Sequence, residues 1–81
     1  QYFLGLVLID CKNFQSACDA FNEAVRIKPD FAEGHFMLGY TYLENLSDIE
    51  KGTYHLNKAE KLYIKLEDFD RLERVRAMRV K

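Results

Sequence analysis

Two stretches of this chain fall on each other when the sequence is slid along itself. At an offset of 34 residues, Leu4-Gly5 meets Leu38-Gly39, Tyr2 meets Phe36, Leu6 meets Tyr40, Leu8 meets Tyr42, Ile9 meets Leu43 and Asp10 meets Glu44. From Phe14 onward the offset becomes 35: Phe14 meets Ile49, Ala17 meets Gly52, Phe21 meets Leu56 and Ala24 meets Ala59. One inserted residue, within Asn45 to Asp48, accounts for the change. Small residues meet small ones and large meet large. A repeat of this length confines the chain to supersecondary units that stack, because one such unit cannot bury its own apolar face.

The units read as helical. Ala17, Phe21 and Ala24 follow i, i+4, i+7 spacing, as do Gly52, Leu56 and Ala59. A Gly inside a helix costs roughly 1 kcal/mol relative to Ala, so Gly5, Gly39 and Gly52 mark places where a second helix axis comes close. Each unit is therefore expected to be an antiparallel helix pair. The boundaries follow from turn and cap chemistry. A helix over about 1–11 ends at Lys12-Asn13, with Asn13 as N-cap of a helix over about 14–27. Pro29 stops that helix by excluding a helical Lys28. Asp30 is expected to cap a helix over about 31–45, and Ser47-Asp48 one over about 49–66. Glu67-Asp68 then breaks the chain before a last helix over 69–81. An unbroken helix from 49 to 80 is the competing reading.

The 81 residues admit one domain. Apolar residues make up 48% and charged residues 31%, with one Pro and four Gly. That is a globular composition, poor in the turn residues an all-β fold needs. No apolar run reaches the ~18 residues of a membrane span, and Gln1–Ile9 has no basic leader and is closed by Asp10. Net charge is −1, but residues 1–50 carry eight acidic and three basic side chains, and residues 51–81 five acidic and nine basic. Arg71, Arg74, Arg76, Arg79 and Lys81 crowd the end. A solvated terminal helix explains them better than nucleic acid does, since the rest of the chain is acidic.

The pattern Leu4-Gly5-x-x-Leu8, Phe14-x-x-Ala17-x-x-x-Phe21-x-x-Ala24, then Pro29, resembles the tetratricopeptide repeat. Leu38-Gly39-x-x-Tyr42, Ile49-x-x-Gly52-x-x-x-Leu56-x-x-Ala59 repeats it. The resemblance covers about residues 1–66 and implies an all-α solenoid: repeat one over 1–30, repeat two over 31–66, and a C-terminal capping helix. The second unit departs from the pattern in its extra loop residue and in Ile64, which stands where a proline is expected. His35 stands where a large aromatic is usual.

In such folds the first helix of each pair lines a concave groove, which implies protein or peptide partners. Here that face holds Tyr2, Leu6 and Ile9, then Phe36, Tyr40 and Leu43, edged by Asp10, Glu33 and Glu44. It would suit an apolar or basic peptide, helical or extended. The alternative is coverage by the chain's own last helix, through Phe69, Leu72, Val75 and Met78, or by another copy in a homo-oligomer. Tyr2, Leu6, Met37 and Tyr40 stand where a carboxylate clamp for acidic peptide tails would need Lys, Asn and Arg, so no such clamp is expected. Gln1, Leu4, Gly5 and Leu8 form the face turned to the paired helix. Phe3 and Val7 belong to neither face. That leaves the first helix with a flank for another molecule or for a longer array, of which this chain would be a segment.

No catalytic constellation is present: there is no Gly-rich phosphate loop and no nucleophile–base order. Cys11, Cys18, His35 and His55 stand seven, seventeen and twenty residues apart, unlike the close pairs of zinc sites. Buried thiols, a packed His35 and a half-exposed His55 are expected instead. The sequence thus reads as a non-enzymatic interaction scaffold, without cofactor, metal or small-molecule substrate, in a reducing and hence cytoplasmic setting. Nucleic-acid and membrane contact are disfavoured.

Overall fold

A computed structural model describes residues 1–79, with the side chain of Arg79 left undescribed. The expected last two residues of the final helix, and Lys81 of the basic cluster, lie outside the described residues. Among those described there are five α-helices and no strand: α1 (Tyr2–Asp10), α2 (Phe14–Ile27), α3 (Ala32–Tyr40), α4 (Ile49–Leu66) and α5 (Phe69–Arg79). The first four form two hairpins, α1–α2 and α3–α4. The protein is all-α, built as a helical repeat.

Three turns share one construction. Lys12, Ser47 and Glu67 each adopt a left-handed conformation, with φ of 60°, 55° and 56°. Each ends one helix, and the residue after it stands at the N-cap of the next. Asp48 Oδ1 accepts from the Lys51 amide at 3.1 Å, and Asp68 Oδ1 from the Arg71 amide at 3.3 Å. Asn13 occupies the same place without a side-chain cap bond. The left-handed Glu67 excludes one continuous helix from 49 to 80. The expected cap of α3 is corrected: Phe31, not Asp30, stands at the N-cap, and it makes no side-chain cap bond.

The inserted residue is absorbed inside the chain turn. The Asn13 amide donates to Leu8 O at 2.8 Å, five residues back, and the Asp68 amide to Tyr63 O at 2.9 Å, also five back. The corresponding bond in the second hairpin, from the Asp48 amide to Tyr42 O at 2.7 Å, spans six. The α-helix over 31–45 is corrected accordingly. It stops at Tyr40 and widens into a π-helical turn over Thr41–Asn45, where the Leu46 amide donates to Thr41 O at 3.0 Å. A π turn is the usual way to lodge one extra residue without abandoning the helix.

Small residues do stand at the crossings. A Cβ on Gly39 would lie 2.6 Å from Leu56 Cγ and 3.1 Å from Gly52 O, and one on Gly52 would lie 3.2 Å from Gly39 O. In the first hairpin a Cβ on Gly5 would run into the Phe21 ring at 2.5 Å. The core falls into two clusters. Ala17, Cys18 and Phe21 enclose Leu38 and Tyr42, with Tyr2, Leu6, Ile9, Val25 and Met37 packed around them. Ala32, Leu56, Ala59 and Tyr63 enclose Leu72 and Val75, with Phe36, Leu43 and Met78 alongside. Thus α5 covers the second hairpin much as α3 covers the first.

Two side chains differ from expectation. Leu4, assigned to the face against the paired helix, is 51% exposed, whereas Leu38 one period later is fully buried. The first hairpin covers Leu38, and nothing described stands in front of Leu4. Phe69, expected on the apolar side of the last helix, is 62% exposed. It sits in the first turn of α5, ahead of the Leu72–Val75 contact.

Two substitutions test this packing. Gly39→Ala gains helix propensity but pushes against the fully buried Leu56 and a backbone carbonyl, and overpacking of this kind costs about 1–3 kcal/mol. A lowered Tm in thermal denaturation is expected despite the propensity gain. Thr41 is fully buried and its Oγ1 has no hydrogen-bond partner. Thr41→Val removes that uncompensated hydroxyl and should raise stability by about 1 kcal/mol; urea titration would show a higher midpoint at unchanged m.

Candidate functional site

Two adjoining cavities form a trough over α3, which contributes to the lining of both. At one end a cavity of about 240 Å³ is lined by Tyr2 from α1, Glu33, Phe36 and Met37 from α3, Tyr63 from α4, and Arg71 and Arg74 from α5. Beside it a more open cavity of about 360 Å³ is lined by Phe36, Met37, Tyr40, Arg74, Ala77 and Met78. Of the expected groove residues, Tyr2, Glu33, Phe36 and Tyr40 meet here. Leu6 and Ile9 are half-buried against the first core cluster. Leu43 turns its Cβ toward Gly52 and joins the second cluster. Asp10 and Glu44, both exposed, line neither cavity.

The lining residues that sequence reading left out of the groove come mostly from the last helix. Arg71, Arg74, Ala77 and Met78 of α5, with Met37 of α3 and Tyr63 of α4, complete the walls. The run of arginines was visible, but its register against α3 depends on the left-handed break at Glu67, which sets the direction of α5. The last helix borders the trough rather than covering it, because Leu72 and Val75 anchor it on α3 and α4.

The charges are arranged in pairs. Arg71 forms an ion pair with Glu33 across the first cavity and a second with Asp68 at 3.5 Å. Arg76 reaches Glu60 at 3.1 Å. The Glu33 carboxylate is therefore matched within the fold, and Arg74 is the charged side chain common to both cavities. Burial pushes the Tyr63 phenol up to about 12, helped by Glu33 and opposed by Arg71. Burial raises that of Tyr2 as well, with the same two neighbours acting in opposite senses. Both phenols therefore stay protonated at neutral pH.

A second polar feature lies away from both cavities. His35 Nε2 lies 3.0 Å from Pro29 O, and its Nδ1 lies 3.1 Å from His55 Nδ1. Since a carbonyl only accepts, His35 carries its proton on Nε2 and accepts at Nδ1 from His55. The His55 ring stacks on Tyr42 at 5.9 Å, and Asn22 Nδ2 donates to the Tyr42 hydroxyl at 3.2 Å. This chain of contacts joins α2 to α3 and α4. His35 packs between the paired helices as expected. Among the described residues no group of three or more His, Cys, Asp or Glu is placed to hold a metal ion. The two thiols separate: Cys18 is buried, its pKa pushed up to about 11 mainly by burial, while Cys11 is exposed, contrary to expectation, because it lies past the end of α1.

Residues 1–31 match the family model of the tetratricopeptide repeat. The fold therefore defines a protein of the helical-repeat class, and its first hairpin is a tetratricopeptide repeat. That family consists of non-enzymatic scaffolds that generally mediate protein–protein interaction. No curated protein and no solved structure matches the chain. Among the described residues no helix is long and apolar enough to cross a membrane.

The histidine pair makes stability depend on pH. Burial, then the neighbouring His35 and Lys58, pull His55 down to about 4, and burial lowers His35 too. An unfolded histidine takes up a proton near pH 6.5, while the folded pair resists. The stabilisation is therefore complete above about 6.5 and lost as pH falls toward 4. Tm should drop between pH 7.5 and 5, above the ordinary range of carboxylates. His55→Gln, which keeps a donor but cannot titrate, should flatten that drop; an unchanged slope would exclude the pair as its source.

Proposed function

We propose that the chain is a protein-interaction module without enzymatic activity that seats an apolar segment of a partner in the trough over α3. The supporting observation is the open cavity whose lining is Phe36, Met37, Tyr40, Ala77 and Met78, with Arg74 as its single charge. Tyr40 is 40% exposed there. Exposed aromatic and Met side chains in a shallow depression suit recognition by burial, with a few polar atoms fixing orientation.

The α3–α4 hairpin, with its own Leu-Gly pair and its repeated register, is read as a second repeat of the same kind, with α5 as its cap. The charge of the trough favours a partner segment free of basic runs. Glu33 is matched by Arg71, so the basic-peptide reading drawn from the acidic edge loses its main support. The nucleic-acid reading loses support too, since two of the arginines in the terminal cluster are held by carboxylates of the fold.

Peptides selected on the chain from a random display library give the test. Selected sequences should carry one or more large apolar side chains, and their affinity by calorimetry should change little between 50 and 300 mM salt. Phe36→Ala with Tyr40→Ala should weaken them by about 10- to 100-fold, the range expected for loss of an aromatic anchor. Equal affinity for the double variant would place binding elsewhere. A steep loss with salt would point to an electrostatic contact instead.

A further inference from the structure

The elbow between α4 and α5 lacks the residue that ordinarily makes one. A helix stop of this kind is usually built on Gly at the left-handed position. Here that position holds Glu67, with φ of 56°, and Lys65 to Asp70 contains neither Gly nor Pro. Large apolar side chains crowd the bend: Ile64 is 47% exposed, Leu66 64% and Phe69 62%. Leu62, Leu66 and Phe69 stand at i, i+4, i+7, the spacing of one continuous helical face. The bend splits that face. Leu62 stays packed on the second core cluster, and the other two are left in solvent.

Lys12 and Ser47 are left-handed too, but straightening the chain there would separate Gly5 from Phe21 or Gly39 from Gly52, which are packed at close approach. Straightening at Glu67 removes α5 alone from its seat. That seat offers Ala32, Leu56, Ala59 and Tyr63 to Leu72 and Val75, Glu33 to Arg71 and Glu60 to Arg76. The α5 of a second copy matches it in apolar shape and in charge, since the groups are the same.

We infer that two copies of this chain exchange α5. Glu67 and Asp68 become helical, α4 and α5 join into one long helix, and the α5 of each copy docks on α3 and α4 of the other. Exchange conserves the contacts of the seat, so the closed and exchanged forms differ only at the elbow. The closed elbow keeps the Asp68 cap and the left-handed Glu67. The straight one gives up the cap, relieves Glu67 and brings Leu62, Leu66 and Phe69 onto one face. The two long helices pass each other near Glu67, where those faces meet and leave water. Each trough then takes Arg74, Ala77 and Met78 from the other copy, whatever ligand it binds.

Light scattering on the full chain, at concentrations up to about 1 mM, gives the first test. A species of twice the chain's mass should grow with concentration. Glu67→Gly suits the left-handed elbow and weakens a straight helix. It should lower the association constant by about 10-fold or more, because both elbows carry the change. Glu67→Ala with Asp68→Ala removes the cap and favours the straight helix, and should shift the chain toward the dimer. A dimer refolded from equal parts of isotope-labelled and unlabelled chain shows which copy supplies α5. NOEs from the Leu72 and Val75 methyls to Ala59 and Tyr63 should run from labelled to unlabelled chains. An original chain that stays monomeric at the highest concentration overturns exchange, whether or not the double variant folds. So does a dimer whose NOEs stay within one chain, which would be a side-by-side contact, or a dimer that Glu67→Gly leaves equally strong.

Discussion

An antiparallel helix pair with Gly39 against Gly52, or Gly5 against Phe21, closes its own seam but leaves one apolar flank open. Burying a Leu or Val side chain is worth about 1.5–3 kcal/mol, so that flank decides what comes next in the chain. Leu38 and Tyr42 fill it for the first hairpin, and Leu72 and Val75 for the second. Once α3 must cover α1–α2 and α5 must cover α3–α4, α3 lies between the two neighbours. The trough is the space left above it. Its location is thus a consequence of core burial, not of any feature selected for a ligand.

Polar contacts follow this arrangement rather than cause it. The pair between Arg71 and Glu33 is partly solvated, and pairs of that kind contribute about 0–1 kcal/mol. Leu72 and Val75 outweigh it in holding α5. The contacts running from Asn22 through Tyr42, His55 and His35 to Pro29 O differ in character. Hydrogen bonds join Asn22 to Tyr42 and His55 through His35 to Pro29 O, and a ring stack of His55 on Tyr42 links the two. Such a network adds little net stability but penalises any shift in register, because each slipped member would be left without a partner. Thr41, whose hydroxyl is buried without one, shows what an unsatisfied group looks like in the same region.

Periodicity carried most of the fold, because one kind of contact recurs at one spacing. The pairing of small residues at the crossings, the breaks at Lys12, Ser47 and Glu67, and the bounds of α2 and α4 were all readable from residue type and register. The candidate site was legible by half. Tyr2, Glu33, Phe36 and Tyr40 lie on one helical face and needed no tertiary information beyond the hairpin. Arg74, Ala77 and Met78 reach the trough only through the angle at which α5 leaves Glu67, and no periodic pattern encodes that angle. Leu43 misled for a local reason: the π turn after Tyr40 rotates the following residues, so a face projected at 100° per residue stops being valid there. At the cap of α3 stands Phe31 rather than Asp30, its ring 5.0 Å from that of Tyr2.

The uneven charge of the chain takes on a meaning once α5 is in place. The excess of acid in the first part and of base in the last part is partly spent inside the fold where Glu33 meets Arg71, 38 residues apart, while Glu60 and Arg76 pair within the last part, 16 residues apart. Apolar burial seats the last helix, and the two ion pairs then orient it there. Orientation of this kind matters for a helix whose buried stripe is only Leu72 and Val75 with Met78 beside them. Two aliphatic anchors fix position along α4 but leave rotation about them loosely set. An ion pair at each side, one toward α3 and one toward α4, removes that freedom and fixes which arginine faces the trough. Arg74, three residues beyond Arg71 and thus on the same side of the helix, is placed over Phe36 and Met37 by that restraint. The single charge offered to a ligand is in this sense set by the two that the fold keeps for itself.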